Sequence, residues 1–278
     1  MDRVLSTHLM SNHRLTSALL DRIGRAGIPA VEIFCARQHF DYHDDGQIRE
    51  LAYWFRDSEL KVHSVHAPMY TDTVWGRSGP QSVVKITEPV KIRRIAMVDE
   101  IKRSIEVAER IPFRYLIAHI GVGGEEYDEQ KLDAAFGSLE ELRIFAGQRG
   151  VAILLENIPN GFSSAERLLL FLRMTHLKLD VAFDVGHAHM GAGVEHEFAL
   201  LRDRIRSTHV HDNNGYDDAH LFPMVSEGGT VDWPAAMRAL GSRPGQYPLV
   251  LELREPAGMQ NPLEEAIQSF EKLESLLK

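Results

Sequence analysis

Three short apolar runs near the middle of the chain end in side chains able to grip a divalent cation. VAILLE closes on Glu156, LDVAFD closes on Asp184 with His187 just beyond, and IRSTHVH carries His209 and His211. Imidazole and carboxylate together, without thiolate, are donors for Zn, Mn, Co or Fe(II). The pattern recurs elsewhere. Glu32 lies in AVEIF, His66 ends LKVHSVH, His119 ends RYLIAH, and Glu252 sits in YPLVLEL. Asp218 and His220 form a D-x-H pair on a loop, and Asp184 and His187 a D-x-x-H pair across a turn. Each short pair says little alone. A scatter of surface charge, however, would not fall at the same end of run after run, and burying an unpartnered charge is very costly. Glu156, Asp184, His209 and Glu252 are therefore expected to converge on one cation. His66 and His119 flank the Glu156 side for a second, and His187, Asp218 and His220 are candidates for a third. His209 and His211 share a strand face, so spacing does not choose between them. Asp212 is expected to orient a ligand rather than bind metal.

These residues need elements that deliver them to one place. Apolar runs of this length suit strands buried on both faces of a parallel sheet. Strands are expected at Arg3–Leu9, Ala30–Phe34, Leu60–His66, Arg114–His119, Val151–Glu156, Leu179–Asp184, Ile205–His211 and Tyr247–Leu253. Between them lie helical segments. The first is capped by Ser11 or Asn12 and runs to about Ala26; the second starts at Asp44 or Asp45; the third starts at Pro89 and reaches about Arg110. Asp128–Gln148, a segment capped by Ser163 or Ser164, Glu195–Arg204, a segment from Trp233 capped by Asp232, and Pro262–Leu277 complete the set. Strict alternation over this length predicts α/β architecture, a single (β/α)8 TIM barrel, with residues 1–278 as one domain. In that fold the active site lies at the C-terminal ends of the strands, where the residues above fall. A long connection, APMYTDTVWGRSGPQSVVKIT, joins the third strand to its helix; with Tyr70, Trp75 and Arg77 it reads as a lid. The turn IGVGG after His119 is a weak phosphate-loop candidate, lacking a following Lys-Ser or Lys-Thr.

Composition narrows the function. A formal net charge of −9 disfavours a general electrostatic grip on nucleic acid or an anionic membrane. The single cysteine, Cys35, excludes an internal disulfide and a cysteine-rich zinc site. No run spans a bilayer and the N-terminal stretch lacks a signal-peptide pattern, so the cytoplasm is the expected location.

The motifs HAP at 66–68, HIG at 119–121, LEN at 155–157, DVGHA at 184–188, HVHDN at 209–213, DAH at 218–220 and LELRE at 251–255 together resemble the xylose isomerase-like barrel superfamily. That group includes sugar isomerases and epimerases and the endonuclease IV type of abasic-site endonuclease. The resemblance spans nearly the whole chain and favours His209 over His211, as the first residue of H-x-x-D. For the epimerase-like members it implies a divalent metal (Zn, Mn or Co) held by Glu156, Asp184, His209 and Glu252. Glu156 and Glu252 would then be catalytic, moving a proton through a metal-stabilised enediolate. His187, Arg254, Trp75 and Glu32 are the substrate-binding candidates, and the partner is a small carbohydrate or sugar phosphate. An arginine common after the seventh strand in that group is replaced here by Asp218 and His220. The alternative is an endonuclease IV-like zinc phosphodiesterase acting on abasic DNA: His66, His119, Glu156, Asp184, His187, His209, Asp218, His220 and Glu252 match all nine ligand positions for three ions. The PGEG-like turn after DAH is altered to Pro223-Met-Val-Ser-Glu227-Gly-Gly. One to three ions are thus expected. The sequence leaves homo-oligomerisation open.

Overall fold

The computed structural model describes residues 1–277. Eight parallel strands wind into a nearly closed barrel, surrounded by helices. The strands are β1 Arg3–Ser6, β2 Ala30–Phe34, β3 Lys61–His66, β4 Tyr115–Ala118, β5 Ala152–Glu156, β6 Asp180–Asp184, β7 Ile205–His209 and β8 Leu249–Leu251. They follow chain order, with β8 paired to β1. The last gap, between β7 and β8, is closed by Val210, whose N–H donates to Val250 O at 2.8 Å and whose carbonyl accepts from Glu252 N at 3.3 Å. The fold expected from the alternating pattern is the fold observed.

The helices are α1 Ser17–Arg25, α2 Asp45–Arg56, α3 Lys91–Glu106, α4 Glu129–Gly147, α5 Ala165–Met174, α6 Val185–Met190, α7 Val194–Leu201, α8 Trp233–Gly241 and α9 Pro262–Ser275. Asp44, Asp128, Ser164 and Asp232 cap α2, α4, α5 and α8; the sequence suggests Ser164 and Asp232 as caps and Asp44 as a helix start, and Asp128, expected as the first helical residue, is instead the cap. Two further expectations shift. Helix α1 is capped by Thr16, whose hydroxyl accepts from Leu19 N, rather than by Ser11 or Asn12. The first strand stops at Ser6, because the Ser6 hydroxyl accepts from His8 N and turns the chain into a 3-10 helix over Thr7–Met10. Helix α6 is an addition, starting directly from the end of β6.

Two cores result. The larger packs the outer strand faces against the helices, with Leu5, Ile33, Leu116, Leu155, Phe183 and Phe270 among its buried members. The smaller fills the barrel interior: Tyr115, Ile117, Leu154 and Ala182. Strand side chains alternate faces, so the residue two beyond an interior one also points inward. Two beyond Ile117, Leu154 and Ala182 stand His119, Glu156 and Asp184. The apolar plug thus sets the floor on which the ionisable groups sit.

Candidate metal centre

Three sets of potential ligands gather at the C-terminal mouth. Within each, the ligand atoms all lie within 4.8 Å of one another: Glu156, Asp184, His209 and Glu252; His66, His119 and Glu156; and His187, His211, Asp218 and His220. In the first, His209 Nδ1 is 3.1 Å from Glu156 Oε1, 3.3 Å from Glu252 Oε2 and 3.9 Å from Asp184 Oδ2. In the second, Glu156 Oε2 is 2.9 Å from His119 Nε2 and 3.6 Å from His66 Nε2. In the third, Asp218 lies 3.4 Å from His187 Nε2, 3.2 Å from His220 Nε2 and 3.7 Å from His211 Nε2. Glu156 joins the first two sets through its two oxygens. Asp184 reaches the third through Oδ1, 3.2 Å from His211 Nε2.

Local backbone chemistry aims the rings. His66 Nδ1 bonds Ala67 O at 2.8 Å, His187 Nδ1 bonds Asn157 O at 3.0 Å and His220 Nδ1 bonds Glu252 O at 2.9 Å. A carbonyl only accepts, so each of these nitrogens carries the proton and Nε2 keeps its lone pair for the cluster. Asp184 is both a ligand candidate and the N-cap of α6: its Oδ1 accepts from His187 N at 2.6 Å, which holds His187 one turn on at the mouth. Asn157 anchors the same turn, donating to Asp184 O and accepting from Asp184 N.

The donor set fits a divalent cation. Glu156 Oε1, Asp184 Oδ2, His209 Nδ1, His211 Nε2 and Asp218 Oδ1 are buried side-chain atoms without a hydrogen-bond partner. They fall in the first and third sets. Leaving a buried polar atom unsatisfied costs ~1–3 kcal/mol, and a cation at this mouth would satisfy several of them at once. Electrostatics agree. Burial pushes the His209 imidazole down, but the carboxylates of Glu252, Glu32 and Glu156 outweigh it and hold the ring well above its ordinary value. Burial pushes Glu156 up, yet His209 and His119 hold it well below the usual carboxylate range.

The centre borders a cavity of about 530 Å³, also lined by His8, Phe34, Trp75 and Arg254. A larger cleft, of about 770 Å³ beside Arg56 and Lys61, contains none of the ligand sets, which border the smaller cavity. The connection after β3 is a folded strap rather than open loop. Tyr70 and Val83 form an antiparallel bridge, and Thr71 N bonds Ser82 O at 2.8 Å. Trp75 packs from the strap on Phe34, with ring centroids 5.1 Å apart. Arg254 is exposed at the rim, and its side chain has no hydrogen bond or ion pair among the described residues.

Several expectations change. Glu32 is fully buried and does not border the cavity; its carboxylate is bonded to Ser64 and His209. Asp212 does not touch a ligand imidazole with its side chain. It accepts from Asn213 N, Val231 N and Trp233 Nε1, tying down the loop that carries Asp218 and His220. The IGVGG turn is filled by the Glu125 carboxylate, which accepts from Val122 N at 3.1 Å and pairs with Lys131 at 2.9 Å. An acidic plug there opposes phosphate.

Two histidines take places that the sequence does not assign them. His211, an alternative to His209 on spacing, joins the third set and stacks on His220, with centroids 4.0 Å apart. His8 is buried, with neither ring nitrogen bonded, and lies beside Phe34, Trp75 and His220. It falls near the end of the first apolar run, RVLSTHL, much as His66 and His119 end theirs, so the signal that finds those two is present for His8 as well.

The fold and this mouth define a parallel barrel with a mixed carboxylate–imidazole centre. The chain belongs to the xylose isomerase-like TIM barrel family, which it matches over residues 20–276. It is 31% identical over 219 residues to the uncharacterised protein MJ1311 of Methanocaldococcus jannaschii, covering 74% of this chain and 69% of that one. Among solved structures, it is similar to a D-tagatose 3-epimerase-like protein, at 24% identity and TM-score 0.77 over 100% of this chain and 97% of that one. It is also similar to an L-ribulose 3-epimerase, at 16% identity and TM-score 0.78 over 100% and 95%. A third is the IOLI protein with a bound zinc atom, at 18% identity and TM-score 0.76 over 100% and 99%.

Proposed function

We propose that the protein is a divalent-metal-dependent isomerase or epimerase of a small keto-sugar or its phosphate. The observation that carries this is the convergence of Glu156, Asp184, His209 and Glu252, the first three with an unsatisfied buried atom, beside a cavity of about 530 Å³ that is roomy enough for a small sugar. Held by these four residues, a divalent ion (Zn, Mn or Co) supplies Lewis acidity toward neighbouring substrate oxygens. Glu156 and Glu252 are the acid–base pair, one taking the proton from carbon and the other returning it. His187, with Nδ1–H given to Asn157 O, accepts at Nε2 from a substrate hydroxyl. The Trp75 ring, over Phe34 and His8, excludes water and packs on the sugar's carbon face, and Arg254 takes any anionic group at the open end. Similarity to the sugar epimerases supports the substrate class.

The test is solvent deuterium uptake by ketohexoses and ketopentoses with Mn-, Co- or Zn-loaded protein. Exchange should occur for at least one sugar. Glu156→Gln and Glu252→Gln should each lower it by ~10²-fold or more, and near-normal exchange in either would end the two-carboxylate mechanism.

The second reading, phosphodiester hydrolysis of abasic DNA, draws on the two adjoining ligand sets. Three tightly held zinc ions together with cleavage of an abasic duplex would favour it. The net charge of −9 and the strap over the mouth favour the sugar.

A further inference from the structure

The first ligand set contains one imidazole, and it is oriented unlike the rings of His66, His187 and His220. His66, His187 and His220 give one nitrogen to a backbone carbonyl. His209 instead directs Nε2 at a carboxylate, 3.0 Å from Glu32 Oε1 and 3.1 Å from Oε2. Glu32 is fully buried, and its other partner is the Ser64 hydroxyl, which donates to Oε2 at 2.7 Å. Both contacts depend on irregular strand pairing. Between β2 and β3 the register runs Val31↔Val62, then Glu32↔Ser64, so His63 is an extra residue and Ser64 comes opposite Glu32. Between β6 and β7 it runs Val181↔Ile205, then Ala182↔Ser207, so Arg206 is extra and His209 comes opposite Asp184. Bulges near active sites re-aim side chains. These two set a chain of Ser64, Glu32 and His209 that ends at the metal centre.

We propose that Glu32, fixed by Ser64, is the positioning residue that holds His209 as the Nε2–H tautomer with Nδ1 turned to the cation. The carboxylate accepts a hydrogen bond from Nε2–H, so a flipped ring would leave the buried Glu32 Oε1 without its donor and the carboxylate with Ser64 alone. It also raises the basicity of Nδ1 as a donor, and partners of this kind are worth about 10–100-fold in metal affinity. Nothing in this role touches substrate. It rests on the metal-centre part of the proposed function, and is independent of which sugar is turned over.

Metal-free protein is titrated with Co(II) against a competing chelator, following the visible absorption, for the wild type, Glu32→Gln and Ser64→Ala. The zinc-loaded proteins, labelled with nitrogen-15 at histidine, report the His209 tautomer by NMR. Glu32→Gln should weaken the tightest Co(II) site by about 10–100-fold, change its absorption spectrum and mix the His209 tautomers. Ser64→Ala should move all three readouts the same way by less, and decides the matter should Glu32→Gln fail to fold. Wild-type affinity, spectrum and tautomer in the folded variants would overturn the proposal. A wild type that binds no Co(II) would overturn the metal centre and this proposal together, whereas wild-type binding without sugar exchange would leave this proposal standing.

Discussion

Glu156 Oε1 and His209 Nδ1 lie 3.1 Å apart, both fully buried, and neither makes a hydrogen bond. With Nε2 committed to Glu32, a neutral ring would turn the Nδ1 lone pair toward a carboxylate oxygen. A proton on Nδ1, which the surrounding carboxylates favour, or a metal cation in its place resolves that contact. Binding to the folded state alone stabilises it by mass action, ~2.7 kcal/mol at a hundred times Kd. Saturating Zn, Mn or Co should therefore raise the melting temperature of metal-free protein by about 5 °C or more, and EDTA should reverse the gain. Scanning calorimetry checks this; identical melting with and without every ion would contradict it.

Gly186 sits under the third ligand set. A Cβ there would run into the His211 ring. Gly186→Ala should destabilise the fold by ~1–3 kcal/mol and weaken the site shared by His187, His211, Asp218 and His220. Gly137, exposed in α4, has open space where a Cβ would stand, so Gly137→Ala should stabilise by ~0.4–1 kcal/mol. Urea unfolding of the pair checks both signs.

Asp212 accepts three hydrogen bonds, one from Trp233 Nε1 at 2.6 Å. In Asp212→Asn the amide group turns a donor toward donors. A loss of ~1–3 kcal/mol is expected, with lower metal occupancy at Asp218 and His220 and a change in Trp233 fluorescence. Unchanged unfolding and metal content would show that the loop is held by other means.

The strand-end ligands were legible because a buried parallel strand is an apolar run, and an ionisable residue closing it must lie at a rim. The eight-fold alternation made those rims one mouth. What could not be read was the pairing register. The bulges at His63 and Arg206 depend on neighbouring strands, and they decide that Glu32 meets His209 instead of the cavity. Helix α6 escaped because DVGHAHMG has no helical apolar stripe; its cap, Asp184, looks like a ligand alone. Spacing left His209 and His211 open and the motif resemblance favoured His209; the coordinates add that His211 falls in a different candidate set.

His39 lies away from the metal centre and gives a clean acid signature. Burial lowers it to about 4, against a partly offsetting bond from Nδ1 to His13 O. Unfolding restores its ordinary value near 6.5, so between those values the unfolded chain binds the extra proton. Its contribution to stability is complete above pH 6.5 and declines as pH falls toward 4, at about 1.4 kcal/mol per pH unit. In metal-free protein, His39→Gln should flatten the stability profile over that window by up to one proton. An unchanged slope would show that His39 titrates normally in the fold.

Anomalous diffraction from crystals soaked in ZnCl2 addresses the central claim directly. A peak is predicted within about 2.0–2.2 Å of His209 Nδ1 and of carboxylate oxygens from Glu156, Asp184 and Glu252. Zinc found only elsewhere, with those four side chains still facing a vacant centre, would contradict it.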